Sequence, residues 1–433
     1  MNKQKVIDIL NSEMELATGC TEPAAIAFTA AVAAHHLNGE KVKSIHTLAS
    51  GNMIKNAMAA GIPGTHYTGM EYAAAIGAIG GNPEKKLQVI TGVDSSVYSK
   101  AQELVQSGSV TVEVAHTSEK LYVDIQVQGE KHSAKAVISG AHTNVVLIQE
   151  DGKTVFENKG KTTSAAGIGP EEIHRTLSVQ KIYEFVGKMD PVNDPLDIIR
   201  QSISVNTAIS EEGLKNDYGL KIGKALREEK EKGIVGDDMV TNAVTVTTAA
   251  ADARMAGAPF AVVSNSGSGN QGITTTMPVV AAAKWLKSGE DKMIRAVTLS
   301  NLVAIYIKSK FGRLSALCGA TVAGTGAACG ITYLLGGDLK AIEYAIQNMI
   351  GNVTGMLCDG AKADCALKIS TCTNAAIQSA YMAMKGLRVQ KTDGIVENDV
   401  EKSIDNFTAL GNKGSAAMDS LVLNMMLHKE KNV

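Results

Sequence analysis

The sequence predicts an α+β protein: an N-terminal α/β part that contains an antiparallel meander, followed by a mostly all-α part. A change of hydrophobic periodicity indicates this. Over residues 110–158 apolar residues recur with a period of two, and turn signals near Gly129 and Gly152 separate the runs, as in antiparallel strands. After residues 167–170 the helical period continues almost to the end. We therefore predict two domains, residues 1–165 and 166–433.

The elements before the meander follow from local patterns. Apolar spacing of three and four residues predicts helices, short apolar runs predict strands, and Pro is suited to the first turn of a helix. In chain order, the predicted elements are a helix over residues 2–16, a helix from Pro23 to about His36, a strand over residues 41–48, a short helix after residues 50–52, a helix over residues 71–79 and a strand over residues 87–90.

Length and charge limit the possible partners. The chain has 433 residues, with 42 basic and 44 acidic side chains and only 4% aromatic residues. Such a balance offers neither a basic stripe nor stacking platforms for bases, so we expect no nucleic-acid partner. The first residues are amphipathic and lack the apolar run of a secretory signal, which predicts a cytoplasmic protein with reduced thiols.

One segment has the length of a membrane span. Residues 314–335 carry no charge over 22 positions and include a Gly326-x-x-x-Gly330 motif. Small residues outnumber large aliphatic ones there, and no second such segment exists. We therefore predict a buried helix that packs closely against its neighbours, and no membrane partner.

The cysteines are distributed unevenly. Five of the six lie between Cys318 and Cys372, and Cys20 is alone near the start. No two are spaced as C-x-x-C, which argues against a zinc ribbon or a ferredoxin-type site. Cys358 and Cys365 would be about 10.5 Å apart along one straight helix, but the intervening Asp-Gly can break that helix. Spacing alone leaves both metal binding and simple packing open.

Individual positions suggest further roles. Cys20 precedes a helix start, where the helix dipole lowers the pKa of a thiol, and either a catalytic or an inert cysteine fits that position. Cys329 and Cys372 lie among small residues and are predicted to be packing residues.

Two loops are candidates for binding small ligands. Ser50, Gly51 and Asn52 precede a helix whose free N–H groups favour an anion, and Lys55 adds a positive charge, although on these residues alone an ordinary helix cap with a solvated lysine is the better explanation. Residues 267–272 read G-x-G-x-x-G, but helical sequence lies on both sides, which argues against a dinucleotide fold. The roles of His66, His142 and the loop 264–272 are left unassigned.

Four segments carry a resemblance to a known family. Residues 351–360 read Gly-Asn-Val-Thr-Gly-Met-Leu-Cys-Asp-Gly, and residues 313–318 read Arg-Leu-Ser-Ala-Leu-Cys. With residues 50–56 and 264–272, they resemble the iron–sulfur L-cysteine desulfidases, relatives of the iron–sulfur L-serine dehydratase alpha chain. The likeness covers nearly the whole chain.

The resemblance implies a cofactor and a set of roles. It implies a [4Fe–4S] cluster held by Cys318, Cys358 and Cys365, with one iron open, and no pyridoxal phosphate. It also implies that Cys20 acts in the active site as the base that takes the α-proton. Some serine dehydratases fill the open iron with a C-terminal cysteine; this sequence ends without one, so we expect a substrate, a water or another residue to occupy that iron.

The resemblance implies elimination of hydrogen sulfide from L-cysteine, giving pyruvate and ammonia. The open iron would act as a Lewis acid on the substrate sulfur, and Lys55, with Asn52, would bind the carboxylate. A homodimer is expected, as for many cytosolic enzymes. Two alternatives stay open: dehydration of L-serine at the same cluster, and a non-catalytic metal-binding or redox-sensing protein.

Overall fold

The computed structural model describes residues 2–65, 67–158, 168–311, 317–414 and 416–428. The predicted α+β class is confirmed, because strands concentrate in the first part and helices dominate the second. The first part contains α1 (Lys3–Glu13), β1 (Leu16–Thr18), α2 (Thr21–His35), β2 (Ser44–Ala49), α3 (Gly51–Ala57), α4 (Met70–Gly80), a 3₁₀ helix (Pro83–Gln88), α5 (Ser95–Gln106), β3 (Val110–Val114), β4 (Tyr122–Gln128), β5 (Ser133–Ser139), β6 (Val145–Glu150) and β7 (Lys153–Glu157).

The second part is helical except for one short strand. It contains α6 (Pro170–Thr176), α7 (Val179–Lys188), α8 (Asp197–Lys215), α9 (Ile222–Glu231), α10 (Met239–Met255), β8 (Ala261–Val263), α11 (Gly269–Trp285), α12 (Glu290–Phe311), α13 (Gly319–Leu334), α14 (Leu339–Val353), α15 (Cys365–Met384), α16 (Val400–Ala409), a π-helical turn (Leu410–Gly414) and α17 (Ala416–Leu427).

The main sheet has the strand order β3-β2-β4-β5-β6-β7. Strands β4 to β7 form the predicted antiparallel meander. The first strand of the predicted meander, β3, is instead parallel to β2 at the edge of the sheet. The reason is the connection: α3, α4 and α5 carry the chain from β2 to β3, and a crossover through helices returns a strand in the parallel direction.

The strand predicted over residues 87–90 is wrong. This segment continues a 3₁₀ helix that begins at Pro83, where Asn82 accepts a hydrogen bond from the Glu84 N–H at 3.0 Å. A capping Asn followed by Pro is a strong helix start, and it outweighs the three apolar residues among these four.

Helix α13 lies at the centre of the helical part. Its residues are nearly all buried, as predicted for the uncharged segment, although residues 314–316 lie outside the described residues. A Cβ on Gly326 would overlap the carbonyl oxygen of Ser300, and one on Gly330 would lie 2.7 Å from that of Ala296. These glycines therefore let α12 and α13 approach closely. None of the described helices is long and apolar enough to cross a membrane.

The two parts are tied together near the N-terminus. Helix α1 packs its apolar face, including Val6 and Leu10, into the core of the helical part. Strand β1 then pairs antiparallel with β8, with Ala17 opposite Val262. The segment before Cys20 therefore belongs to both parts, and the boundary near residue 165 stays a prediction.

A buried ion pair docks the C-terminal helix onto the first part. Lys55 of α3, with 2% of its side chain exposed, donates to the Asp419 carboxylate of α17 at 2.6 Å. The Leu423 side chain fills the space where a Cβ on Gly51 would stand. Helix α17 is thus held by one charge pair and a small apolar contact.

We predict that Asp419→Asn lowers the free energy of unfolding by on the order of 2–3 kcal/mol, because it leaves the buried Lys55 ammonium without its anion. Denaturant titration measures the loss, and limited proteolysis should cut near α17 first. The matched control is Glu229→Gln, which removes an exposed 2.7 Å pair with Lys232 and should change stability by less than about 0.5 kcal/mol. Equal effects of the two variants would contradict the prediction.

Candidate functional site

Four cysteines line one cavity between the two parts. Cys20, Cys318, Cys358 and Cys365 border a space of about 120 Å³. An apolar cavity of roughly 150 Å³ holds a benzene molecule, so this one suits a ligand of similar or smaller size. The four positions predicted to carry the chemistry are therefore brought together by the fold.

Three of these thiols stand at helix N-termini. Cys20 is the residue before α2, Cys318 the residue before α13, and Cys365 the first residue of α15. The start of α11, capped by Ser268, also borders the cavity. Because a helix N-terminus carries partial positive charge, four of them together favour negative charge at this point.

Local backbone contacts place Cys358 beside Cys318. Leu317 and Leu357 form an isolated antiparallel bridge, and the Cys318 N–H donates to the Met356 carbonyl at 2.9 Å. Cys358 lies in the loop before α15, outside any helix, so the expected break between Cys358 and Cys365 is present. Gly360 makes this possible with a φ of +100°, and a Cβ there would overlap the Lys55 carbonyl oxygen.

A cluster of charges clamps that loop onto α15. The Asp359 carboxylate pairs with Lys362 at 2.6 Å and with Lys368. Partial burial raises the pKa of Asp359, but the two lysines outweigh it and lower that pKa to about 2. The loop that carries Cys358 is thus fixed to the helix that begins with Cys365.

The thiols beside Cys358 are buried enough to resist ionisation. Burial raises the pKa of Cys365 to about 11, with contributions from the Cys358 and Cys20 thiols. Burial also holds the pKa of Cys318 well above its usual value, with a further contribution from Cys358. Thiolates here need a compensating cation.

The donor set fits an iron–sulfur cluster. Cys318, Cys358 and Cys365 are free thiols that border one cavity, and soft thiolates suit iron. Within the described part of the chain, no three His, Cys, Asp or Glu side chains are arranged to hold a metal ion. A single ion requires its ligands to meet at one point, whereas each thiolate of a [4Fe–4S] cluster binds a different iron. The absence of a single-ion site among the described residues is therefore compatible with a cluster.

Cys20 differs from the other three in its neighbours. Burial, the largest effect, raises its pKa, the Arg254 charge opposes this, and the Glu22 charge adds to it. The lowered pKa expected from a helix start is therefore not the net result. Its Sγ lies 4.0 Å from the Met255 Sδ, and it packs against Cys365.

Hydrogen bonds from the loop 264–272 hold Cys20 in place. The Ser264 N–H donates to the Glu15 carbonyl at 2.8 Å, and Thr21 Oγ1 donates to the Gly267 carbonyl at 3.3 Å. Inside the loop, Gln271 Nε2 donates to Asn265 Oδ1 at 2.8 Å. Helix α11 follows this loop as predicted, but the strand β8 precedes it, so the expectation of helices on both sides is wrong on that side. Because β8 pairs only with β1 among the described strands, antiparallel in a two-stranded sheet, the loop is still not part of a dinucleotide-binding βαβ unit. Its glycine pattern makes a tight polar turn beside the cavity.

The predicted substrate-binding residues lie elsewhere. Ser50, Gly51, Asn52 and Lys55 are absent from the cavity lining. Ser50 Oγ donates to the Lys120 carbonyl at 2.7 Å, and Lys55 is paired with Asp419. Their role in substrate binding stays a prediction, and the contacts they make here are structural.

The two cysteines predicted to be packing residues are buried and do not border the cavity, although Cys372 packs in the same apolar cluster as Cys318. Cys329 is fully buried within α13. Cys372 is buried within α15, with its Sγ 3.7 Å from the Met356 Sδ. His142 lines the cavity, whereas His66 lies outside the described residues.

Several polar residues at the cavity were missed by sequence reasoning. Glu22, Asn56, Arg254 and Lys308 all line it. Arg254 could have been noticed, because it is one of two charged residues in a long Ala- and Thr-rich helix and is only 4% exposed. A charged residue in such a run is expected to be compensated by an opposite charge, either within the protein or on a ligand.

Known proteins are similar to this chain over nearly its full length. Residues 84–424 match the family described as serine dehydratase alpha chain. The chain belongs to this family. It is 44% identical over 426 residues to a UPF0597 protein of Oleidesulfovibrio alaskensis, covering 98% of each. It is 41% identical to UPF0597 proteins of Clostridium perfringens and Porphyromonas gingivalis, covering 99% of each chain.

Family membership supports part of the prediction. It indicates a lyase-type enzyme of a family associated with iron–sulfur clusters, in agreement with the predicted relation to serine dehydratases. The names of the relatives specify no substrate.

We predict that Asp359→Asn loosens the loop that carries Cys358, because the remaining amide cannot pair with both lysines. The expected loss is about 1 kcal/mol of local stability, or about fivefold faster amide exchange over residues 355–364, measured by hydrogen–deuterium exchange. Asp217 offers a matched control, since it pairs with Lys221 at 2.6 Å and Lys224 at 2.5 Å far from the cavity. If Asp217→Asn changed exchange in this loop as much as Asp359→Asn, the clamp would be refuted.

Proposed function

We propose that this protein is an iron–sulfur-dependent L-cysteine desulfidase. The observation that carries the proposal is the single cavity bordered by Cys20 and by the free thiols of Cys318, Cys358 and Cys365. The reaction takes L-cysteine and water to pyruvate, ammonia and hydrogen sulfide.

Cys318, Cys358 and Cys365 would hold a [4Fe–4S] cluster. When bound, the cluster would supply a Lewis-acidic iron that favours departure of the substrate sulfur. Two helix N-termini, at Cys318 and Cys365, and the Asp359 clamp on the loop that carries Cys358 support this by fixing the positions of the three thiols.

Cys20 would act as the general base. Its thiolate takes the α-proton, the electron pair of the C–H bond forms the Cα–Cβ double bond, and the Cβ–S bond breaks. The enamine product, aminoacrylate, tautomerises to an imine, which water hydrolyses to pyruvate and ammonia. Burial favours the neutral thiol, so it makes the thiolate a stronger base, and the Arg254 charge keeps that thiolate accessible.

The family description favours a second candidate, the dehydration of L-serine. Both reactions share proton removal at the α-carbon and differ only in the leaving atom. We favour sulfur because the resemblance of residues 264–272 and 351–360 points to desulfidases.

The ligand set is tested by composition of the purified protein. We expect about four iron and four acid-labile sulfide per chain after anaerobic reconstitution, with a large loss in each of Cys318→Ala, Cys358→Ala and Cys365→Ala. Cys329→Ala and Cys372→Ala are the matched controls, because both thiols are buried without bordering the cavity. Both should retain iron, Cys372→Ala even though this thiol packs in the apolar cluster next to Cys318. Iron-free wild-type protein, or equal loss in the controls, would overturn the ligand assignment.

The reaction and its base are tested by turnover. Reconstituted protein should release sulfide from L-cysteine much faster than it forms pyruvate from L-serine, and Cys20→Ala should lower kcat by about 10²- to 10⁴-fold while keeping its iron. Faster turnover of serine would establish the second candidate instead. Full activity of an iron-loaded Cys20→Ala protein would remove Cys20 as the base, and iron binding without any turnover would favour a non-catalytic metal protein.

A further inference from the structure

Arg254 is a buried cation at the cavity. It lies near the end of α10, is 4% exposed and borders the cavity beside Cys20. Its Nη1 donates to Asn270 Oδ1 at 3.1 Å and lies 3.5 Å from the Met255 Sδ. These contacts fix the guanidinium without neutralising it.

No carboxylate compensates this charge within the described part of the chain. None of the ion pairs there includes Arg254, although the criterion reaches 4.0 Å, and its buried Nε has no hydrogen-bond partner. Burying a charge without an opposite charge is unfavourable by several kcal/mol, so such a cation normally meets an anion when the site is in use.

The absence of a side chain at Gly269 leaves space for the Arg254 guanidinium. A Cβ on Gly269 would overlap Arg254 Nε and lie 2.7 Å from Cζ. Gly269 is the first residue of α11, so the cation stands against the positive end of a helix. That arrangement is repulsive by itself and becomes favourable when an anion lies between the two.

We propose that Arg254, together with the first N–H groups of α11, binds the α-carboxylate of the amino-acid substrate. A guanidinium has five N–H donors in a planar fork. It can therefore donate hydrogen bonds to a carboxylate while one N–H still donates to Asn270. Because the α-carbon is bonded directly to that carboxylate, binding at Arg254 brings the α C–H next to the Cys20 thiol. The assignment rests on the proposed function and replaces Lys55, whose charge is already paired with Asp419.

The test separates carboxylate binding from turnover. In a Cys20→Ala background, which removes the thiol as a competing partner of Arg254, binding of 3-mercaptopropionate and of its neutral amide is measured by calorimetry. We expect the acid to bind about 10- to 100-fold more tightly than the amide, the effect of one strong charge-assisted contact. Arg254→Gln should abolish this preference, and Arg254→Lys should restore part of it.

Two further variants show whether a loss of binding comes from Arg254 itself or from misfolding. Gly269→Ala keeps the arginine but displaces its guanidinium, so it too should lose the preference for the acid. Arg175→Gln, which changes an arginine with a 77% exposed side chain, is the control and should bind like the parent protein. In proteins that contain Cys20, Arg254→Lys should raise KM for L-cysteine more than it lowers kcat.

The outcomes distinguish the two proposals. An equal preference for the acid in Arg254→Gln, or no preference in the parent protein, would overturn the carboxylate assignment even if cysteine were turned over normally. A preference that depends on Arg254 in a protein that releases no sulfide would support the assignment and refute the desulfidase.

Discussion

Four thiols buried around one cavity can act as thiolates only if the surroundings favour negative charge there. Each thiolate that forms must be compensated, since burial raises the pKa of Cys20, Cys318 and Cys365. The N-termini of α2, α11, α13 and α15 supply part of that compensation, and the Arg254 guanidinium supplies a full charge. The rest of the compensation would come from the proposed metal cluster, and the same positive surroundings would favour an anionic substrate.

This convergence depends on contacts between residues far apart in sequence. Pairing of β1 with β8 brings Cys20 to the loop before α11, and the bridge between Leu317 and Leu357 brings Cys318 to Cys358. Both are short backbone pairings, each within a few residues of a thiol that borders the cavity. Small shifts in either would separate the thiols, which explains why the loop 264–272 is held by so many buried hydrogen bonds.

The elements that were predicted correctly are those that depend on residues close to one another in the sequence. The period-two run revealed β4 to β7, the uncharged segment revealed the buried α13, and Asp359-Gly360 revealed the helix break between two cysteines. The parallel pairing of β3 was missed because pairing direction depends on the path of the connection, which the strand sequence does not contain. The strand at residues 87–90 failed because the capping Asn82 and Pro83 lie outside the apolar run.

Lys55 and Arg254 show that the role of a basic residue near the site also depends on residues far away in the sequence. Both are basic residues in helices, and the sequence around Lys55 is the more suggestive, with free N–H groups just before it. What decides between them is the position of an acidic partner: Asp419 comes from a helix 364 residues later and pairs with Lys55, whereas no carboxylate of the described chain reaches Arg254. A charge already paired holds a structure together, and a buried charge left unpaired is the one free to bind a ligand. Asp419 pairs with Lys55 on α3, whereas Arg254, beside Cys20, has no carboxylate partner in the described chain and is therefore the cation proposed to bind the substrate.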